Sequence, residues 1–278
     1  MGLDVQTRSS DPDGGPIGVF DSGIGGLTVV AALRRLLPNE SIFYVGDTAR
    51  VPYGGKSKTT IERYSTEISK LLLAENAKML VVACNTSSAL ALTYLRDQFS
   101  VPVLGVIQPG AAAAIAVSRN KRIGVIGTRA TIASKAYDQA IQAMCAEAQV
   151  FSRACPLLVP LIEEGMFRDE VTDLTLQRYL ESLLQKDIDT LVLGCTHYPL
   201  LREAIARVVG AKVTLVDSAQ NCALAVQDAL LKKKKINQRA DGNLRVALTD
   251  ATEGFLRVAE KVLGLDIRNV ELLGVRES

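Results

Sequence analysis

Apolar residues along this chain follow two alternating patterns. Short continuous runs, rich in Val, Ile and Leu, fall at residues 17–20, 41–46, 80–83, 101–107, 122–127, 149–155, 191–194, 212–216 and 244–248. Such runs read as strands buried on both faces, the signature of a parallel sheet. Between them apolar positions recur with a helical period, as at Ile61, Tyr64, Ile68, Leu71 and Leu72. That spacing predicts helices over 29–37, 59–76, 88–99, 111–117, 134–146, 170–186, 200–209, 222–231 and 251–263. Strands alternating with helices predict a parallel α/β architecture.

One phrase occurs twice. Leu80-Val81-Val82-Ala83-Cys84-Asn85-Thr86 and Leu191-Val192-Leu193-Gly194-Cys195-Thr196-His197 each run an aliphatic strand into a cysteine and small polar residues. Gln108-Pro109-Gly110 reads as a crossover, after which the strand–helix pattern restarts. The expectation is two similar Rossmann-like parallel-sheet domains with the site between them. Residues 16–108 plus 219–270 form the first, discontinuous domain and residues 109–218 the second. Residues 1–15, polar and rich in Asp, Ser and Gly, form a mobile lead-in. Pro52 with Gly54 and Gly55 predicts an irregular loop over 49–56, and residues 156–165 a loop carrying Glu163 and Glu164.

Composition narrows the classes. With 48% hydrophobic and 22% charged residues the chain has the makings of a folded core. A net charge of +2 is too small to argue for nucleic acid, and Lys232-Lys233-Lys234-Lys235 reads as a solvated helix end. Every apolar run is broken before membrane-spanning length, and residues 1–15 lack a signal peptide's apolar centre. The expected compartment is therefore the cytoplasm, where the five cysteines stay reduced. A single histidine excludes any mechanism that needs two.

A glycine-rich turn, Asp21-Ser22-Gly23-Ile24-Gly25-Gly26-Leu27-Thr28, follows the first strand. It either presents backbone N–H groups to an anion or makes a tight turn for packing. It is not a dinucleotide fingerprint, since Thr28 stands where the third glycine belongs, and no Gly-Lys-Ser/Thr marks a P-loop. For the two cysteines the residues alone leave four readings open: acid–base groups, metal ligands, a disulfide or core packing. As acid–base groups, two thiols on opposite faces of one carbon could remove a proton from one side and return it on the other. A hydrolase with Cys84 as nucleophile and His197 as base, or a non-catalytic amino-acid binding module, are further readings.

Several ordered segments carry a resemblance: Gly18-Val19-Phe20-Asp21-Ser22-Gly23-Ile24-Gly25-Gly26-Leu27-Thr28-Val29, Tyr44-Val45-Gly46-Asp47-Thr48, Val51-Pro52-Tyr53-Gly54, Ala83-Cys84-Asn85-Thr86, Gly124-Val125-Ile126-Gly127-Thr128, Val159-Pro160-Leu161-Ile162-Glu163, Gly194-Cys195-Thr196-His197-Tyr198-Pro199 and Val216-Asp217-Ser218-Ala219. Together they resemble the cofactor-independent aspartate/glutamate racemase family over most of the chain. The resemblance implies two α/β domains, a homodimer, and interconversion of L- and D-glutamate for peptidoglycan synthesis. It implies no cofactor and no metal. Cys84 would act on the D-enantiomer and Cys195 on the L-enantiomer, assisted by Asp21 and His197, with a contribution from Glu163. Asp21, Ser22, Tyr53, Gly54, Asn85, Thr86, Thr128, Thr196 and His197 would bind substrate. Aspartate as substrate is the near alternative; the Val-Pro-Tyr-Gly loop resembles the glutamate type.

Overall fold

Two parallel sheets carry the chain. The computed structural model describes residues 15–237, 242–250, 264 and 270–274; the expected lead-in up to residue 14 and the expected helix over 251–263 lie outside them. The strands are β1 (Ile17–Asp21), β2 (Ile42–Gly46), β3 (Met79–Val82), β4 (Val103–Gly105), β5 (Arg122–Gly127), β6 (Gln149–Ala154), β7 (Thr190–Gly194), β8 (Thr214–Asp217), β9 (Leu244–Leu248) and β10 (Val270–Leu272). The helices are α1 (Leu27–Leu36), α2 (Lys58–Ala74), α3 (Asn85–Leu90), α4 (Leu92–Gln98), α5 (Ile107–Val117), α6 (Arg129–Ala133), α7 (Ala136–Met144), α8 (Leu158–Glu163), α9 (Glu170–Leu184), α10 (Arg202–Val209) and α11 (Ser218–Lys232).

One sheet has the order β10-β9-β2-β1-β3-β4 and the other β6-β5-β7-β8. In the first, Ile17 pairs with Ile42 on one side and Met79 on the other. The chain thus leaves β1 for β2 on one side and later returns to its other side as β3. That reversal is a topological switch point, where the ends of two strands open a crevice. The second sheet repeats it, because β5 pairs with β6 on one side and β7 on the other. Cys84 follows β3 directly after Ala83, and Cys195 follows β7. Each thiol therefore stands at the switch point of its own sheet.

The apolar runs in the sheet interiors are buried as their pattern requires, whereas β6 and β8, the edges of the second sheet, keep exposed and half-buried residues. Strands β1, β2, β3 and β7 have no exposed residue. Helix α11 packs Ala219, Cys222, Ala223, Val226 and Leu230 with Val19 of β1 and Leu33 of α1. A second core joins Leu176 and Leu180 of α9 to Leu191 and Leu193 of β7. After α11 the chain is pinned back by a buried ion pair. Lys78 Nζ lies 2.6 Å from Glu40 Oε2, each side chain 2% exposed. The same ammonium donates to the Lys235 carbonyl, and Glu40 accepts from the Asn237 backbone N–H.

Several local expectations change. Gln108-Pro109-Gly110 stands where the chain leaves the first sheet for the second, and it lies in the first turn of α5. Pro109 has no N–H to offer, and the first turn needs none, so proline fits there. Pro160 occupies the same place in α8, which turns much of the expected 156–165 loop into a helix. Tyr53–Gly55 forms a 3₁₀ turn inside the expected irregular loop, and Thr48–Arg50 forms another that overlaps its start. The helix expected over 134–146 is preceded by the short α6, separated by Lys135 at φ 56°.

Candidate active site

The carboxyl edges of the two sheets meet around a narrow cleft. Ser22, Tyr53, Gly54, Cys84, Asn85, Thr86, Thr128, Cys195, Thr196 and His197 line it, with Val51, Pro52 and Val159. Both thiols thus face one cavity. Its water-accessible volume is about 20 Å³, enough for a single water on the scale of roughly 10–15 Å³ per site. A far larger concavity, about 1490 Å³, lies over α9 between Leu157, Val171 and Leu174. It is an open apolar groove that contains neither cysteine.

Cys84 is 4% exposed and lies two residues past β3, directly before α3. Its thiol reaches Ser22 Oγ at 3.7 Å. Burial, followed by the nearby Asp21 charge, pushes the Cys84 thiol up to about 12, against smaller opposing contributions from Ser87 and Ser22. Asn85 accepts from the Tyr137 hydroxyl at 2.7 Å through Oδ1, while its buried Nδ2 has no partner. Thr86 Oγ1 stands 3.0 Å from Thr128 Oγ1 and 3.2 Å from Thr131 Oγ1. Thr128 also caps α6, accepting from the Thr131 N–H. Three hydroxyls therefore join the turn after β3 to the turn after β5.

On the opposite side, Cys195 Sγ lies 3.9 Å from His197 Nδ1, and His197 Nε2 lies 3.4 Å from Glu163 Oε1. The second contact is an ion pair without hydrogen-bond alignment, since Nε2 has no hydrogen-bond partner. Burial opposes a charge on the imidazole, but Cys195 and Glu163 outweigh it and raise His197 to about 10. Glu163 itself is 35% exposed at the end of α8 and does not line the cleft. The strand stops at Gly194, so Cys195 and His197 meet through a turn and not along an extended face.

Asp21 is fully buried and also absent from the cleft lining. Its Oδ2 accepts from the N–H groups of Gly23 and Gly26, and its Oδ1 from the Thr196 hydroxyl. The glycine turn thus presents its amides to an anion that the chain itself supplies. Gly25 explains the close fit: a Cβ there would come within 2.5 Å of His197 Nδ1 and 2.8 Å of its backbone N. Only a residue without a side chain lets the turn sit directly on the Cys195 segment.

Tyr53 lines the cleft, and its hydroxyl is bound to Asp47. Asp47 also accepts from Arg50 Nε at 2.8 Å and from Thr249 Oγ1 at 3.0 Å, and the Arg50 guanidinium lies 4.0 Å over the Tyr64 ring. Asp47, Arg50, Thr131 and Tyr137 were not expected as site residues. Asp47 stands inside a segment that carried the resemblance, and Thr128-x-x-Thr131 is legible as a helix start. Tyr137 reads only as a core position of a helix. Among the described residues, no three His, Cys, Asp or Glu side chains cluster as a metal site would require, and no helix is long and apolar enough to cross a membrane.

The profile of the Asp/Glu/Hydantoin racemase family matches residues 25–226. A glutamate racemase from Geobacter metallireducens is 50% identical over 249 residues, covering 89% of this chain and 92% of that protein. Among solved structures, a glutamate racemase isoform from Bacillus anthracis superposes with a TM-score of 0.90 at 39% identity, covering 94% of this chain and 98% of that one. The glutamate racemase from Francisella tularensis, solved in complex with D-glutamate, gives 0.88 at 37% identity, with coverage of 94% and 98%. Two sheets that each deliver a thiol at a switch point, joined to this likeness over nearly the whole chain, identify it as a member of the Asp/Glu/Hydantoin racemase family.

Proposed function

We propose that the protein is an isomerase that interconverts L- and D-glutamate by moving a proton at Cα between Cys84 and Cys195. It uses no cofactor or metal, works as a homodimer in the cytoplasm, and supplies D-glutamate for peptidoglycan. The observation that carries this reading is that two thiols, one from each sheet, face a single cleft. Relatives described as glutamate racemases, one of them solved in complex with D-glutamate, support the choice of substrate. The reading keeps the division into residues 16–108 with 219–270 and residues 109–218, and the pairing of β9 and β10 into the sheet of β1–β4 supports it.

One thiolate takes the Cα proton and becomes a thiol. The electron pair of the C–H bond is left on Cα and spreads into the carboxylate. The opposite thiol gives its proton to the other face and becomes the thiolate. Cys84 acts on the D-enantiomer and Cys195 on the L-enantiomer, so each direction ends with the pair in the state that starts the other. His197, backed by Glu163, serves Cys195. Asp21 serves Cys84, its charge acting through the buried turn.

The difficulty is the weak acidity of the Cα proton. A thiol raised to about 12 is rarely ionised, yet its thiolate is a correspondingly strong base, which narrows the gap to Cα. Donors around the cleft offset the rest by holding the carboxylate as charge moves into it. Asn85 Nδ2, Thr86 and Thr128 are suitable donors, and Ser22, Tyr53, Gly54 and Thr196, whose hydroxyl donates to Asp21, complete the binding wall. A cleft with room for one water must open to admit an amino acid and close around it. Closure excludes the water that would otherwise protonate the carbanion.

The test is circular dichroism of L-glutamate and L-aspartate solutions with added enzyme. Decay of the glutamate signal to zero, with aspartate unchanged, is the expected outcome. Decay of the aspartate signal alone would reassign the substrate.

A further inference from the structure

We propose that Tyr137 is a positioning residue for this reaction: it holds the Asn85 amide with its N–H2 turned into the cleft and ties the two cysteine turns together. The inference rests on the racemase reading and adds a residue to it.

Tyr137 lies in α7 and is 1% exposed. Its hydroxyl donates 2.7 Å to Asn85 Oδ1, and Asn85 directly follows Cys84. Its ring meets the other turn, since a Cβ on Gly194, the residue before Cys195, would stand 3.1 Å from ring atom Cε2. One side chain therefore touches the neighbours of both thiols.

The amide inventory gives the polarity. An asparagine side chain has one acceptor oxygen and an N–H2 donor group. Tyr137 takes up the oxygen, so the nitrogen is left to face elsewhere. It is buried and without a partner, on a side chain 2% exposed that lines the cleft. An orphaned buried donor is costly, and free rotation would turn it toward any acceptor at hand. The tyrosine contact holds it out as a donor for an incoming carboxylate. Burial raises the phenol well above its ordinary value, so it stays a neutral O–H donor at any working pH.

A residue that only fills space would not couple to Asn85. The experiment is a double-mutant cycle of Tyr137→Phe, Asn85→Ala and the pair, reading kcat, KM and thermal midpoint with both enantiomers. Tyr137→Phe keeps the ring against Gly194 and removes only the hydroxyl. It should cut kcat/KM roughly tenfold, the size of one good hydrogen bond. The pair should be no worse than Asn85→Ala alone. Additive losses, or a lowered midpoint with unchanged kcat/KM, would overturn the proposal. If the wild-type protein does not turn glutamate over, the racemase reading itself fails. The same cycle is then read in calorimetric binding of D-glutamate, where coupling supports the Tyr137 role and additivity contradicts it.

Discussion

Nδ1 of His197 lies 3.9 Å from Sγ of Cys195, and this contact sets the electrostatics of one half of the cleft. The imidazole is 2% exposed and raised to about 10, so it carries its proton at neutral pH. In the unfolded chain a histidine loses its proton near about 6.5. Folding therefore binds an extra proton between those values, and stability declines as pH rises through the window. The thermal midpoint of the wild-type protein should fall between pH 7 and 10. In His197→Asn that slope should flatten, measured against the same buffers. An equal slope in both proteins would mean that the histidine is neutral when folded.

The two thiols are not interchangeable with a single catalytic cysteine. Cys84→Ala and Cys195→Ala should each lower racemisation by roughly 10²–10⁴-fold or more, the range of one acid–base group. Each should leave the circular dichroism spectrum of the fold unchanged. Full activity in either variant would remove that cysteine from the reaction.

The glycine turn is predicted to matter more for rate than for stability. In Gly25→Ala the new methyl meets the His197 backbone N and imidazole, so the turn must withdraw from the Cys195 segment. Overpacking of this kind costs about 1–3 kcal/mol. Its displacement reaches His197 directly, and kcat/KM should drop about tenfold or more, beyond what the shift in midpoint explains. Wild-type kinetics in this variant would show that the segment yields freely.

The Lys78–Glu40 pair is a stability element distant from the chemistry. Lys78→Met leaves the Glu40 carboxylate buried without its partner and should cost about 3–5 kcal/mol in urea unfolding. Adding Glu40→Met should recover only part of that. The Lys235 carbonyl and the Asn237 N–H lose their side-chain partners in the pair. Complete recovery would mean that water replaces them.

Much of this was legible in the chain. The buried strands announced themselves because a sheet covered on both faces needs unbroken aliphatic runs, and a cysteine follows β3 and β7 within two residues. The first turns of α5 and α8 were not legible, because Pro109 and Pro160 look like breakers until their place in the helix is known. The use of the glycine turn was also hidden. Its amides point at Asp21, a residue five positions or fewer away, and its glycine faces a segment about 170 positions further on. Tyr137 was invisible as a site residue, since its ring obeys the core pattern and only the hydroxyl at its tip meets Asn85.

In the proposed reaction one proton is removed and another delivered from opposite faces by different thiols. Proton NMR in deuterium oxide, started from L-glutamate and followed at low conversion, tests it most directly. The D-glutamate formed should carry deuterium at Cα while the remaining L-glutamate still carries protium. Deuterium entering the L-pool as fast as D-glutamate forms, in Cys84→Ala as in the wild-type protein, would contradict it.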